Sequence, residues 1–175
     1  MRLNPVVPAI TLECMRRVSQ NRREIAKNRE LHQRLPLIGW REWIALPDLD
    51  VAAIKAKVDT GARSSSLHAY DVSEFRRGKS IWLRFTVAPT QRSLSNRIIT
   101  EAPLVEYRSV RSSSGHQSYR PVIRTTIQLG ELKWSTEITL SSRDEMGFRM
   151  LLGRQSLANR FMVDSGKSFL ASEQS

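Results

Sequence analysis

Lys57-Val58-Asp59-Thr60-Gly61-Ala62 is the stretch that decides how the rest of this chain is interpreted. A short apolar strand, Ala53 to Val58, leads into the acid, and a threonine and a glycine follow it at once. A glycine at this point lets a second backbone approach closely, and a threonine hydroxyl can tie two such loops together by hydrogen bonds. The segment therefore predicts an aspartate held in a tight turn beside another loop of the same kind.

Such a turn suits the chemistry of aspartic proteases. Two carboxylates lie side by side and share one proton, because like charges that close cannot both ionise. One carboxylate then activates water as a base while the other polarises the scissile carbonyl. The tripeptide alone is weakly specific, since Asp-(Ser/Thr)-Gly occurs by chance in roughly one chain in ten of this length. Asp59 is thus a candidate catalytic residue, weighed against a turn aspartate that caps its own backbone.

A second tripeptide of this type, Asp164-Ser165-Gly166, lies near the end of the sequence. Only nine residues follow Gly166, whereas each catalytic loop of a single-chain enzyme is followed by a half-domain of strands. We therefore interpret Asp164 as structural. One chain then supplies one catalytic aspartate, so the mechanism requires a homodimer with Asp59 of each copy at the two-fold axis.

From residue 37 onward the sequence has the pattern of an all-β domain. Short runs rich in β-formers alternate with turn residues, which indicates a barrel or a sandwich. The predicted strands are Trp40–Leu46, Ala53–Val58, Ser65–Tyr70, Ile81–Val87, Pro103–Arg111, Tyr119–Leu129, Lys133–Leu140, Met150–Leu152, Phe161–Val163 and Ser168–Leu170. One or two helical turns are predicted over Gln155–Arg160.

A distant element supports the catalytic interpretation. Met150-Leu151-Leu152-Gly153-Arg154 combines an apolar strand with a glycine and a short helix. In the retropepsin fold a strand of this kind lies across the catalytic loop, and the order of elements here resembles that protomer throughout. The turn-rich tip at 112–117 falls where a substrate-covering flap is expected. The sequence predicts an all-β, retropepsin-like (acid protease) barrel with one short C-terminal helix.

The resemblance extends to a bacterial family of retropepsin-like aspartic proteases. It is carried by the segments 58–69, 110–115, 120–122, 150–157 and 161–164, which together cover residues 37 to about 171. Members are often called ATP-dependent zinc proteases and are associated with the ATP-grasp ligase that adds glutamate to a ribosomal protein. The resemblance implies cleavage of glutamate-rich tails, or peptidase activity more generally. The sequence departs from the family at Ser165-Gly166, where Pro-Ala is expected.

The candidate site residues fall into three groups. The catalytic loop is Asp59, Thr60 and Gly61, supported by Ala62, Leu151, Leu152 and Gly153. Arg63 and Arg154 flank these elements and suit carboxylate recognition because the guanidinium is a planar fork, although surface ion pairs are an equal alternative. Ser113, Ser114 and Gly115 are candidate substrate contacts at the flap tip, on the resemblance alone.

No metal or cofactor is expected. The three histidines, His32, His68 and His116, are isolated, whereas a zinc peptidase needs two histidines one helical turn apart. We interpret His68 as a packed strand residue. The single cysteine excludes a cysteine-rich metal site, and there is no Gly-rich phosphate loop for ATP. A zinc peptidase is therefore the weakest alternative.

The formal net charge is +11, of which residues 1–34 contribute +5 and residues 35–175 contribute +6. We divide the chain at this point into a basic extension, helical over 13–34 or partly disordered, and a retropepsin-like domain. The charge favours acidic partners such as a ribosome, nucleic acid or an acidic peptide. The main alternative to an enzyme is accordingly a non-catalytic, basic binding module with the same fold.

The sequence predicts a cytoplasmic protein without a membrane contact. One cysteine permits no internal disulfide, which fits a reducing compartment. No segment has the eighteen or more apolar residues of a membrane span. The apolar run Val6 to Leu12 is short and interrupted by Pro8, so it does not match a secretion signal.

Overall fold

The computed structural model describes residues 13, 16–25, 35–90, 96–111, 115, 117–141 and 147–172. The chain divides into two units, Met1–Leu35 and Pro36–Ser175, and each is described by itself. In the first unit, residues 16–25 form a helix, α1, whose side chains are all exposed. Apart from Glu13, the other residues of the predicted helix over 13–34 lie outside the described part of the chain.

The second unit is built almost entirely of strands. They are β1 (Leu37–Gly39), β2 (Arg41–Leu46), β3 (Val51–Asp59), β4 (Ser65–His68), β5 (Tyr70–Arg77), β6 (Ser80–Val87), β7 (Ile98–Arg111), β8 (Gln117–Leu129), β9 (Leu132–Ser141), β10 (Met150–Gly153) and β11 (Met162–Asp164). A 3-10 turn covers Pro47–Leu49, and one short helix, α2, covers Arg154–Leu157.

Nine of these strands form one sheet that closes on itself. The order is β2-β3-β10-β4-β9-β8-β7-β6-β5, and an additional pairing between β2 and β8 closes the first six strands into a ring. β7, β6 and β5 continue from the ring as an antiparallel extension. β1 and β11 form a separate parallel pair. The all-β, retropepsin-like barrel with one short helix is thereby confirmed.

The position of β10 matters most for the site. β10 pairs in parallel with β3 and antiparallel with β4, so it lies between two strands that are close neighbours in sequence. The segment joining β3 to β4 must therefore pass over the end of β10. That segment is residues 60–64, directly after Asp59.

The interior of the ring is apolar because the strands alternate inward and outward side chains. On β2, Ile44 and Leu46 are buried while Trp43 and Ala45 are partly exposed. Fully buried side chains from opposite strands meet in one core cluster, which includes Ile38, Ile54, Leu67, Phe85, Ile123, Ile138 and Leu152. This packing holds β3 and β10 in place, and the loop after β3 lies against β10.

One inward position of β2 is charged. Glu42 is fully buried, and its Oε1 accepts hydrogen bonds from the backbone of Gly39 (2.6 Å) and Leu170 (2.8 Å). Its Oε2 accepts one from the Ser172 hydroxyl. A buried carboxylate is tolerated only when its oxygens are satisfied in this way. Glu42 thus fastens the segment 167–172 to the corner between β1 and β2.

One predicted strand is absent, and two strands, β1 and β5, were not predicted. Ser168–Leu170 is not a strand, because Phe169 has a φ of 57° and lies outside the β region. A strand not foreseen, β5, begins at Tyr70, two residues after β4 ends at His68. Most of the β5 side chains are exposed, so the strand lacks the apolar alternation by which strands are recognised.

No helix among the described residues is long and apolar enough to cross a bilayer.

Candidate active site

Asp59 is the last residue of β3, and the turn that follows folds back onto its side chain. Its Oδ1 accepts hydrogen bonds from the backbone N–H groups of Gly61 and Ala62, both at 3.0 Å. The carboxylate is half-buried, and Thr60 and Gly61 are exposed. One carboxylate oxygen is thus fixed by two amides, and this contact alone would also suit a turn-capping aspartate.

β10 and the start of α2 contact this turn through backbone pairing and hydrogen bonds. Leu151, Leu152 and Gly153 lie in parallel register with Lys57, Val58 and Asp59, and all three are buried. The carbonyls of Ala62 and Arg63 then accept hydrogen bonds from the backbone of Arg154 (2.9 Å) and Gln155 (3.1 Å) at the start of α2. The loop is therefore held at its first residue by β3 and along its length by β10 and α2.

Gly153 is required for this contact by close approach. A Cβ built on Gly153 would lie 2.5 Å from both the carbonyl carbon and the oxygen of Ser64, and 3.0 Å from the carbonyl carbon of Arg63. All of these neighbours are backbone atoms, which cannot rotate away. The predicted support by Leu151, Leu152 and Gly153 thus has a physical basis in the structure.

A chain of hydroxyl groups, which the sequence did not suggest, lies beneath the loop. The Gly153 N–H donates to Ser65 Oγ at 3.1 Å, Ser65 Oγ lies 2.9 Å from Ser156 Oγ, and Ser156 Oγ lies 2.8 Å from Thr136 Oγ1. Ser65 and Ser156 are buried. These hydroxyls join β4, α2, β9 and the end of β10. The serine run at 64–66 was a weak signal for them, but their partners lie far away in sequence.

The two candidate arginines differ in their contacts. Arg154 donates from Nη1 to the carbonyl oxygens of Thr60 (3.0 Å) and Gly61 (3.3 Å), so it contacts the loop that follows Asp59. Arg63 is exposed in the same loop. Within the described residues, neither arginine forms an ion pair with a carboxylate.

The segment 112–117, predicted to be the tip of a flap, joins β7 and β8, which pair as an antiparallel hairpin. Its base is tied by an ionic cluster in which Glu137 of β9 pairs with Arg108 (2.7 Å) and Arg124 (2.9 Å). The hydrogen bonds from Arg108 and then Arg124 lower the pKa of Glu137 below its ordinary value. At the tip, Gly115 is exposed with a φ of 83°, whereas Ser113 and Ser114 lie outside the described residues.

The second Asp-Ser-Gly tripeptide repeats only part of the first. Asp164 Oδ1 accepts a hydrogen bond from the Gly166 N–H at 2.8 Å, and Asp164 pairs with Gly39 at the end of β11. The Lys167 N–H donates to the carbonyl of Asp164, which closes a turn. These contacts are those of a structural turn, in agreement with our interpretation of Asp164.

The described residues contain no group of three or more His, Cys, Asp or Glu side chains that could hold a metal ion. His68 is fully buried in β4, and its ring meets that of Tyr70 edge-on at 4.2 Å between centroids. His32 and His116 lie outside the described part of the chain.

Comparison with known proteins supports the same fold. A family model described as "RimB-like: Retropepsin-like aspartic endopeptidase RimB" matches residues 37–174. The crystal structure of a Legionella pneumophila protein of unknown function superimposes with a TM-score of 0.65 at 28% identity, over 78% of this chain and 98% of that one.

Two curated relatives carry the name "Probable alpha-L-glutamate ligase". The protein from Shewanella pealeana is 44% identical over 138 residues, which is 79% of this chain and 30% of that protein. The protein from Parasynechococcus marenigrum is 47% identical over 128 residues, which is 73% of this chain and 28% of that protein. The chain therefore spans less than a third of the length of these relatives. Because the family model covers the whole strand-rich unit, including the loop at Asp59 and β10, the chain belongs to the RimB-like family of retropepsin-like aspartic endopeptidases.

Proposed function

We propose that this protein is an aspartic peptidase that acts as a homodimer, with Asp59 from each copy forming the catalytic pair. The observation that carries the proposal is the turn at 59–62, in which two amides fix Oδ1 of Asp59 while β10 supports the loop. Thr60 and Gly61 are exposed beside the carboxylate, so a second copy of the loop can approach it. Membership of the endopeptidase family points the same way.

The chemistry follows from two carboxyl groups that share one proton. The ionised carboxylate takes a proton from a water molecule, and the hydroxide equivalent attacks the scissile carbonyl carbon while the other carboxyl group donates a hydrogen bond to the carbonyl oxygen. The tetrahedral intermediate collapses when the leaving nitrogen is protonated. The products are a carboxylic acid and an amine, and no covalent enzyme adduct forms.

For the substrate, we propose peptides rich in glutamate. Lys57 near the end of β3 and Arg63 in the loop that follows are exposed, and neither of them pairs with a carboxylate within the described residues. Positive side chains at the mouth of a site raise the local concentration of acidic substrates. The relatives named as glutamate ligases share this domain within much longer chains, which is consistent with glutamate chemistry.

The test compares Asp59→Asn with Asp164→Asn. Both changes alter the aspartate of an Asp-(Ser/Thr)-Gly turn, but only the first touches the proposed catalytic group. We expect wild type and Asp164→Asn to cleave glutamate-rich peptides and Asp59→Asn to be inactive, with a chelator having no effect. The specific activity should also fall on dilution, because a dimer dissociates. Cleavage that survives Asp59→Asn would rule out the proposed mechanism.

A second function, a non-catalytic basic binding module, is favoured by one surface. The wing, which we define as β5, β6 and residues 98–103 of β7, exposes two arginines beside aromatic rings. The guanidinium carbon of Arg77 lies 4.1 Å from the ring centroid of Trp82, and that of Arg84 lies 5.4 Å from the ring centroid of Phe75. Both arginines pair with Glu101, and the hydrogen bond from Arg84 is the main cause that lowers the pKa of Glu101.

Over the whole wing the three arginines, Arg76, Arg77 and Arg84, are balanced by Asp71, Glu74 and Glu101. The cluster of Arg77, Arg84 and Glu101 alone has two cations and one carboxylate, and arginine and aromatic planes are surfaces on which bases stack. This function predicts oligonucleotide binding that weakens steeply with salt and is indifferent to Asp59→Asn. Loss of that binding in the double variant Arg77→Ala, Arg84→Ala would support it. Equal binding by wild type and the double variant would exclude the wing as the binding surface.

A further inference from the structure

We infer that Arg154 is a positioning residue that orients the two peptide groups which hold the Asp59 carboxylate. The inference rests on the proposed peptidase function, and it gives Arg154 a task other than the recognition of substrate carboxylates. It follows from which atoms of the loop Arg154 contacts and from how those atoms are bonded to one another.

Arg154 contacts the opposite ends of the same two peptide groups that contact Asp59. The carbonyl of Thr60 and the N–H of Gly61 belong to one planar peptide group: the carbonyl accepts from Arg154 Nη1 at 3.0 Å, and the N–H donates to Asp59 Oδ1 at 3.0 Å. The carbonyl of Gly61 and the N–H of Ala62 form the next group, with corresponding distances of 3.3 Å and 3.0 Å.

Each peptide group is thus placed between a guanidinium and a carboxylate. Because the peptide group is planar and carries a dipole, a cation at its oxygen and an anion at its hydrogen favour the same orientation. Hydrogen bonds in such chains polarise one another and strengthen. The two N–H groups are therefore aimed at Oδ1 by a charge on the far side of the loop, and not by the turn alone.

The backbone of Arg154 is itself held against the loop. Its N–H donates to the carbonyl of Ala62 at 2.9 Å, and its carbonyl accepts from the Ala158 N–H at 2.9 Å in α2. The preceding residue, Gly153, is packed against the backbone of Ser64. The guanidinium therefore starts from a fixed point, and a single nitrogen with two hydrogens can reach both carbonyls.

The chemistry of the side chain suits this task. A guanidinium stays charged at every pH at which a protein is folded, and its donors lie in a rigid plane. The Lys ammonium keeps the charge but lacks that fixed plane, so Arg154→Lys should keep part of the orientation of the two peptide groups. Methionine keeps much of the aliphatic stem and removes both the charge and the donors, so Arg154→Met should abolish that orientation.

The experiment measures kcat and KM for one glutamate-rich and one uncharged peptide, together with hydrogen exchange of the Gly61 and Ala62 amides by NMR. The full-length protein is used. The variants are Arg154→Met and Arg154→Lys, with Arg160→Met as a matched control, because Arg160 also donates to a backbone carbonyl, that of Ala158 at 3.3 Å, outside the loop. Arg63→Met serves as the comparison for substrate recognition.

In Arg154→Met we expect kcat to fall by about 10- to 100-fold for both peptides with little change in KM, since small displacements of a catalytic group cost this much. The exchange of the Gly61 and Ala62 amides should become faster by about tenfold or more. Arg154→Lys should recover part of both effects, and Arg160→Met should behave as wild type.

Two results would overturn the inference. One is a rise in KM for the glutamate-rich peptide alone with unchanged kcat, as substrate recognition predicts. The other is unchanged exchange of the two amides in Arg154→Met. If the wild type cleaves neither peptide, the peptidase function fails, and the amide exchange still decides whether Arg154 orients the loop.

Discussion

Replacing Gly153 by alanine tests how closely the loop that follows Asp59 depends on β10. The Cβ of alanine would lie 2.5 Å from the backbone carbonyl group of Ser64. An ordinary contact begins at 3.4 Å, so the loop has to retreat by roughly 0.9 Å if β10 stays in place. The φ of Gly153 is −84°, which alanine adopts freely, so the effect is steric and not conformational.

We expect two consequences of Gly153→Ala. Overpacking of this kind destabilises a protein by about 1–3 kcal/mol. A displacement of about 1 Å in a catalytic group lowers the rate by about 100-fold. The loss of activity should therefore exceed what the unfolded fraction explains, because most molecules remain folded at room temperature while the loop is displaced in all of them.

The assay combines urea unfolding with peptide cleavage, and Gly147→Ala is the matched control. A Cβ on Gly147 meets nothing within 4 Å, and Gly147 is exposed. Its replacement should leave stability within about 0.5 kcal/mol of wild type and the rate unchanged. If Gly153→Ala retains both the stability and the rate of wild type, the reasoning that ties the loop to β10 is refuted.

Three further predictions concern groups outside the loop. Glu137→Gln should lower the free energy of unfolding by about 1 kcal/mol near neutral pH. The two arginines lower the pKa of Glu137 in the folded protein below 4.5. The ionised Glu137 therefore stabilises the fold above the unfolded-state pKa, and this stabilisation is lost as the pH falls through the folded-state pKa. Urea midpoints of the two proteins should therefore converge in acid, and a constant difference would contradict this. Glu42→Gln should lower the free energy of unfolding by about 2 kcal/mol, because a glutamine nitrogen would face a backbone donor. It should also make residues 167–172 accessible to limited proteolysis. Unchanged protease resistance would contradict the proposed anchoring of this segment by Glu42. Ser156→Ala should cost about 1 kcal/mol in thermal unfolding, because the Ser65 and Thr136 hydroxyls lose their shared partner, whereas a Tm equal to wild type would show that these groups find others.

The sequence predicted the parts of the fold that depend on local pattern. Strands with one buried face, such as β2 and β6, follow from alternating polarity, and their bounds differ from the prediction by one residue. β5 could not be recognised because its side chains meet solvent on both faces. Ser168–Leu170 was predicted to be a strand, yet Phe169 has a φ of 57° and stacks on Trp43 at 6.3 Å between ring centroids.

The candidate site shows the same division. Asp59 and Gly153 could be named from the sequence because each belongs to a short motif. One is an acid in a tight turn, and the other is an apolar strand that ends in glycine. The direction of the Arg154 side chain could not, because a rotamer is chosen by contacts with residues more than ninety positions away. The hydroxyls of Ser65, Thr136 and Ser156 belong to three separate elements, and only the folded chain brings them together.

The insertion of β10 between β3 and β4 also has a consequence for the order of events during synthesis. The two strands that flank it are complete by residue 68, yet the strand that separates them ends at residue 153. A ribosome adds about 5–20 residues per second, so these strands wait for roughly 4–17 seconds before their shared neighbour exists. During that interval they lack part of their pairing and the loop at Asp59 lacks its support. The loop at Asp59 can therefore take its supported conformation only after β10 has been synthesised.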